Sequence, residues 1–225
     1  MSTEAKNAEA FETALNNWVD QEKKAVALSN TLGQLLYGQS IELVLFRNQL
    51  VEQSVSELLK MHRNAQNFTN KAVSIYDTAD LAKELLDIDL APSKIDIGKL
   101  ANEWDQEKEN FDSKKEFIQH QLKNLIGIDK RKLEPKDVIL YGFGRIGRIA
   151  ARELVKQAGK GQQLRLRAIV TRGDDDVAME KRAALLRNDS VHGTFNGTVE
   201  VDTANRIMRI NGQTVHLING QQPDE

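Results

Sequence analysis

The sequence predicts an α/β protein: an N-terminal all-helical region, then a β-α-β unit, then an antiparallel meander. Three observations carry this reading. Residues 1–126 contain one proline, Pro92, and only Gly33, Gly38 and Gly98 as glycines, while apolar residues recur every three or four positions. That is the helical period. At residues 137–148, "DVILYGFGRIGR", an aliphatic run breaks into three glycines threaded with arginines. Between residues 198 and 218, "TVEVD", "RIMRI" and "QTVHLI" read as three short strands, and Asn211-Gly212 favours a two-residue hairpin turn.

In the first region, the series Phe11, Leu15, Trp18, Ala25, Leu32 and Leu35 predicts a helix that stops at Tyr37-Gly38. Ser40 stands as an N-cap before Val44, Val51, Val55 and Leu58. A third series runs Ala72, Tyr76, Ala79, Ala82 and Leu86, and Pro92 marks the loop after it. A fourth runs Ile97, Leu100, Trp104, Phe111, Ile118, Leu122 and Leu125, ending at Gly127. Residues 9–126 are thus expected to be nearly all helix, with no strand in 41–60. The stripes are one-sided, as in helices packed on a shared core. The charged run "DKRKLEPKD" at 129–137 has no period and reads as a linker. The expected organisation is a helical extension over 1–130, a linker over 131–136 and a second domain over 137–225.

Composition narrows the function. The chain has 225 residues, 40% hydrophobic and 28% charged, as in a folded globular protein. Its apolar runs are short, so no membrane span is expected, and the polar start "MSTEAKNAEAFE" lacks a secretory pattern. A cytoplasmic location is therefore expected. A net charge of −2 offers no general attraction to nucleic acid. Zero cysteines exclude disulfides, thiolate zinc sites and a cysteine nucleophile within these residues. His62, His120, His192 and His216 have no metal-ligand spacing, so no metal site is expected.

The glycines carry the chemistry. Val138, Ile139 and Leu140 predict a buried strand, residues 146–157 a helix, and "LRLRAIVT" at 164–171 a second strand, parallel to the first. In such a unit the turn after the first strand faces a helix N-terminus, whose N–H groups and dipole favour a pyrophosphate. Gly142 permits the turn, Gly144 lets the backbone approach the phosphates, and Gly147 lets helix and strand pack closely. Phe143, Arg145 and Ile146 complete the turn, which marks the site as one for NAD or NADP. An acidic residue normally ends the second strand, where it holds ribose hydroxyls. Thr171 and Arg172 stand there instead, and an arginine suits a ribose 2′-phosphate, which favours NADP. Asp174, Asp175 and Asp176 come next, either as first-turn helix charge or as a ribose contact.

"YGFGRIGR" together with "RNDSVHGTFNGTVEV" at 187–201 resembles the glyceraldehyde-3-phosphate dehydrogenase family. The resemblance covers residues 137–225, and the helical extension is similar to that of a divergent bacterial branch. It implies a partial Rossmann-type NAD(P)-binding domain, a dinucleotide and a sugar phosphate as ligands, and a homo-oligomer. Tyr141 replaces the family's asparagine, Thr171-Arg172 replaces its ribose aspartate, and Gln221 stands for its adenine-side arginine. The family's catalytic cysteine and histidine fall beyond Glu225, so no catalytic residue is assigned and the chain is expected to be the inactive front part of an enzyme. His192, in the D-S-x-H-G segment, is expected to be structural. The same residues leave open an erythrose-4-phosphate dehydrogenase of this family, and a non-catalytic nucleotide-sensing interaction module.

Overall fold

The computed structural model describes residues 3–69, 71–127, 134–158, 164–173 and 175–220. The chain forms two compact units, Met1–Lys130 and Arg131–Glu225. In the first, helix α1 (Thr3–Gly33) sends Ala25, Leu28 and Leu32 into the core and continues as a π-helical turn, Gln34–Gln39, that buries Leu35. Ser40 ends it in a left-handed conformation, φ 59°, with its N–H bonded to Leu36 O at 3.0 Å. Ser40 is therefore the end of one helix rather than the start of another.

The segment after Ser40 is strand, which corrects the all-helical expectation. Strands β1 (Ile41–Leu45), β2 (Asn48–Gln49) and, much later, β3 (Ser93–Asp96) form a sheet in the order β2-β1-β3. β1 pairs antiparallel with β2 and parallel with β3. The physical reason lies in "IELVL": four of its five residues are buried and only Glu42 is polar, a run too continuously apolar for a one-sided helix. Asp96 fixes the arrangement. Its carboxylate accepts from Phe46 N (3.0 Å) and Arg47 N (3.3 Å) in the β1–β2 turn, and from Gly98 N and Lys99 N (both 3.1 Å) in the next helix.

The remaining helices are α2 (Val55–Asn64), α3 (Ile75–Leu85), α4 (Ile97–Glu107) and α5 (Lys114–Gln121). Ser54, Ser74, Asp96 and Ser113 cap them by accepting first-turn N–H groups. The fourth expected series is thus two helices, broken at Phe111–Ser113 because Ser113 starts a new one. Phe117 is fully buried, with ring centroids of Trp104 and Phe111 at 5.4 and 5.3 Å.

The second unit begins with β4 (Lys136–Tyr141), one residue earlier than the composition suggests. Helix α6 (Arg145–Gln157), β5 (Leu164–Thr171), α7 (Asp176–Arg187), the short pair β6 (Asn188–Asp189) and β7 (Gly193–Thr194), then β8 (Val199–Asp202), β9 (Ile207–Ile210) and β10 (Gln213–Asn219) complete it. The sheet order is β4-β5-β10-β9-β8. β4, β5 and β10 run parallel, and β8, β9 and β10 form the antiparallel meander expected from sequence. Asn211 and Gly212 make the two-residue turn, both with positive φ. Helices α6 and α7 send Ala151, Val155, Met179, Ala183 and Leu186 into one core with Leu166, Ile169, Met208 and Leu217. On the sheet's other face Ile139 and Ile218 are 60% and 44% exposed.

Candidate functional site

The carboxyl ends of the three parallel strands meet at one edge of the second unit. Gly142 N donates to Val170 O at 2.8 Å, tying the turn after β4 to β5. Gly220 N donates to Thr171 O at 3.2 Å, tying the end of β10 to β5. A cavity of about 320 Å³ opens there. Tyr141, Gly142 and Phe143 form one wall, and Val170, Thr171 and Arg172 form another. Arg182 and Gly220 close it. In an open α/β sheet ligands bind just outside these strand ends.

The glycines behave as their spacing requires. Gly142 has φ +90°, a conformation that L residues rarely adopt. A Cβ on Gly147 would lie 2.4 Å from Gly142 O, so this helix and this turn approach each other only with glycine there. Gly144 is different: a Cβ there would meet nothing within 4 Å. It is the N-cap of α6, and no side chain caps that helix. The other helices from α2 to α7 are all capped by a serine or aspartate, α7 by Asp175 Oδ1 accepting from Ala178 N at 2.9 Å. The open space and the uncapped N-terminus lie together, as a phosphate cradle requires. Ile146 is 85% exposed beside it and fills no core position.

The arginines of the turn look the other way. Asp189 is buried, and its carboxylate accepts from Val191 N (3.0 Å), His192 N (3.1 Å) and Arg148 Nη2 (2.9 Å). These backbone N–H groups, reinforced by the guanidinium, hold its carboxyl far below the usual carboxylate range. Arg148 also donates to Phe143 O at 3.4 Å, and Arg145 Nη2 donates to Ser190 Oγ at 3.1 Å. Arg152 donates to Leu186 O (3.0 and 2.6 Å) and to Gly193 O (3.0 Å). The D-S-x-H-G segment is therefore the brace of the glycine turn. His192 belongs to that brace, its Nδ1 lying 3.2 Å from Asp189 Oδ1.

Of the residues singled out from sequence, Gly142, Phe143, Thr171 and Arg172 line the cavity. Gly144, Arg145, Ile146 and Gly147 make the turn and the first turn of α6. Gln221 lies outside the described residues. Arg182 was not foreseen. It sits on α7, eleven residues after Thr171, in a stretch that reads as ordinary helix surface. Its Nη2 donates to Arg172 O at 2.6 Å.

A parallel β-α-β unit whose glycine turn and uncapped helix face a cavity at the strand ends defines a Rossmann-type dinucleotide-binding domain. Residues 136–225 match the family described as "Glyceraldehyde 3-phosphate dehydrogenase, NAD binding domain". A glyceraldehyde-3-phosphate dehydrogenase-like protein of Pseudomonas aeruginosa is 35% identical over 195 residues, 85% of this chain and 42% of its own length. That match is longer than the second unit and so extends well into the first. Glyceraldehyde-3-phosphate dehydrogenases of Haemophilus influenzae and Monascus purpureus are 38% and 37% identical over 84 residues, each match covering 37% of this chain and 22% of theirs. The chain thus spans less than half the length of these relatives. No described helix is long and apolar enough to cross a membrane.

Proposed function

We propose that this chain supplies the cofactor-holding part of a phosphate-dependent dehydrogenase acting on an aldose phosphate, working in a soluble compartment of the cell. The observation that carries it is the uncapped N-terminus of α6 behind open space at Gly144, next to the strand-end cavity. The names of the relatives support the substrate class. The dinucleotide, when bound, supplies a hydride acceptor. The chain's own residues hold it: the N–H groups of the first turn of α6 bind the pyrophosphate, and Thr171 and Arg172 border the ribose.

These 225 residues contain no cysteine, so a cysteine nucleophile for the aldehyde is not among them. The bare sheet face, with Ile139 and Ile218 exposed, supports the same reading, since parallel sheets are normally covered on both sides. The test is a fluorescence titration of the chain with NADH and NADPH, alongside an assay for aldehyde-dependent reduction of NAD(P) in phosphate. Binding without turnover is the expected result. Turnover by this chain would refute the assignment of the chemistry elsewhere, and no binding of either dinucleotide would refute the site.

A further inference from the structure

The first half of α1 runs clear of its own core. Every residue from Glu9 to Asp20 is exposed, whereas Ala25, Leu28 and Leu32 on the same helix are buried. Continued toward the N-terminus, the core-facing side carries Gln21, Asn17, Ala14 and Ala10, which offer little apolar surface. The large apolar residues stand on another side. They are Phe11 (69% exposed), Leu15 (50%), Trp18, Val19 and Val26 (57%), spaced so that they form one stripe. Glu9 and Glu12 accompany it, and residues 9–20 contain no lysine or arginine, so an anionic membrane surface is a poor match.

The stripe is its own complement. Two copies of α1 laid antiparallel, with the dyad between Trp18 and Val19, set Phe11 opposite Val26 and Trp18 opposite Val19. Glu22, the one charge within the stripe, then faces Leu15, whereas a parallel pair would set Glu22 against Glu22. On one flank the same register brings Glu12 to Lys23, and the dyad repeats the contact. Lys23 is free to take it, because its ion pair with Asp20 on the same helix is exposed on both sides and readily exchanged. We infer that α1 is a dimerisation arm, whose exposed stripe pairs antiparallel with the same stripe of a second copy of this chain. The five apolar side chains expose on the order of 400 Å² on each arm. With the flanking polar residues the two arms together bury about 1,000 Å², the small end of specific interfaces, which fits a reversible dimer rather than a permanent one.

Sedimentation equilibrium of the 225-residue chain tests this. Monomer is expected to give way to dimer as the concentration rises through roughly 10–100 μM. Leu15→Glu removes an apolar contact twice over and sets a carboxylate against Glu22. It should weaken the dimer about 10-fold or more, and leave the helical circular dichroism unchanged because Leu15 is exposed. Glu12→Lys should weaken the dimer several-fold, and Glu12→Lys with Lys23→Glu should recover most of the loss. The lack of native cysteine allows the register to be read directly. Val19→Cys, beside the dyad, should cross-link to itself on oxidation. Phe11→Cys should not, because its two copies would lie about 22 Å apart along the axis. Mixed with Val26→Cys, it should cross-link. A chain that stays monomeric throughout overturns the proposal and leaves the stripe to further polypeptide or to another protein. A dimer that Leu15→Glu leaves intact also overturns it, since the contact then lies on another surface, such as the bare sheet face of the second unit. Self-cross-linking by Phe11→Cys would show parallel pairing and overturn the antiparallel arm.

Discussion

Gly144 and Gly147 stand three residues apart and do opposite things. At Gly147 the protein itself occupies the space, so Gly147→Ala forces a Cβ toward the Gly142 carbonyl. Overpacking of this sort costs about 1–3 kcal/mol, and the urea midpoint of the second unit should fall accordingly. At Gly144 the space is open and φ is −71°, which any residue adopts. Gly144→Val should therefore leave the midpoint nearly unchanged while lowering the affinity for NADH and NADPH alike by at least about 10-fold, one lost charge-assisted contact. A stability loss without a binding loss would show that this cradle is filled by protein. The spacing of the glycines made the close packing at Gly147 legible in the sequence and singled out Gly144 as the position that this binding measurement tests. Arg182 was not legible, because its place at the cavity depends on how α7 packs back over the sheet, which no local pattern encodes.

At the level of elements, caps held boundary information that the apolar spacing missed, and Ser40, the N-cap read from sequence, instead ends a helix. The pattern Ser-x-x-Glu/Asp recurs at Ser54/Glu57, Ser74/Asp77 and Ser113/Glu116, and each serine does start a helix. Apolar spacing alone ran α4 and α5 together, and it turned β1 into part of a helix. Strand β1 is held by residues some fifty positions away, above all Asp96, and such long-range pairing leaves little trace in a local period. A second element-level contact joins α2 and α3. His62 is buried, its Nδ1–H donating to Leu58 O at 2.7 Å and its Nε2 accepting from the Thr78 hydroxyl at 2.8 Å. Burial pushes the imidazole pKa down, and the Leu58 carbonyl offsets this only in part. The unfolded chain, with an ordinary histidine near 6.5, then binds more protons than the folded one in the window just below that pH. Stability is fully present above about pH 6.5 and declines as pH falls through that window. Urea midpoints of the first unit measured from pH 7 to pH 5 should show the decline, and His62→Gln, which does not titrate, should flatten it.

For the molecule as a whole, the two buried clusters share no residue, so each unit is expected to unfold as its own cooperative body. Residues 1–130 expressed alone should give a circular dichroism spectrum dominated by helix, with a cooperative melt; a random-coil spectrum would show that the first unit depends on the second. The missing cap of α6 has a consequence beyond recognition. The unliganded second unit carries a helix terminus whose first N–H groups lack the side-chain acceptor that its neighbouring helices have, and a ligand that binds only the folded form makes up that deficit. Its melting point is thus a function of ligand activity: at one hundred times Kd the gain is about 2.7 kcal/mol, or on the order of 10 °C for a unit of this size. Heat resistance of this half of the chain inside a cell would rise and fall with the local pool of dinucleotide, whereas the helical half would be indifferent to it.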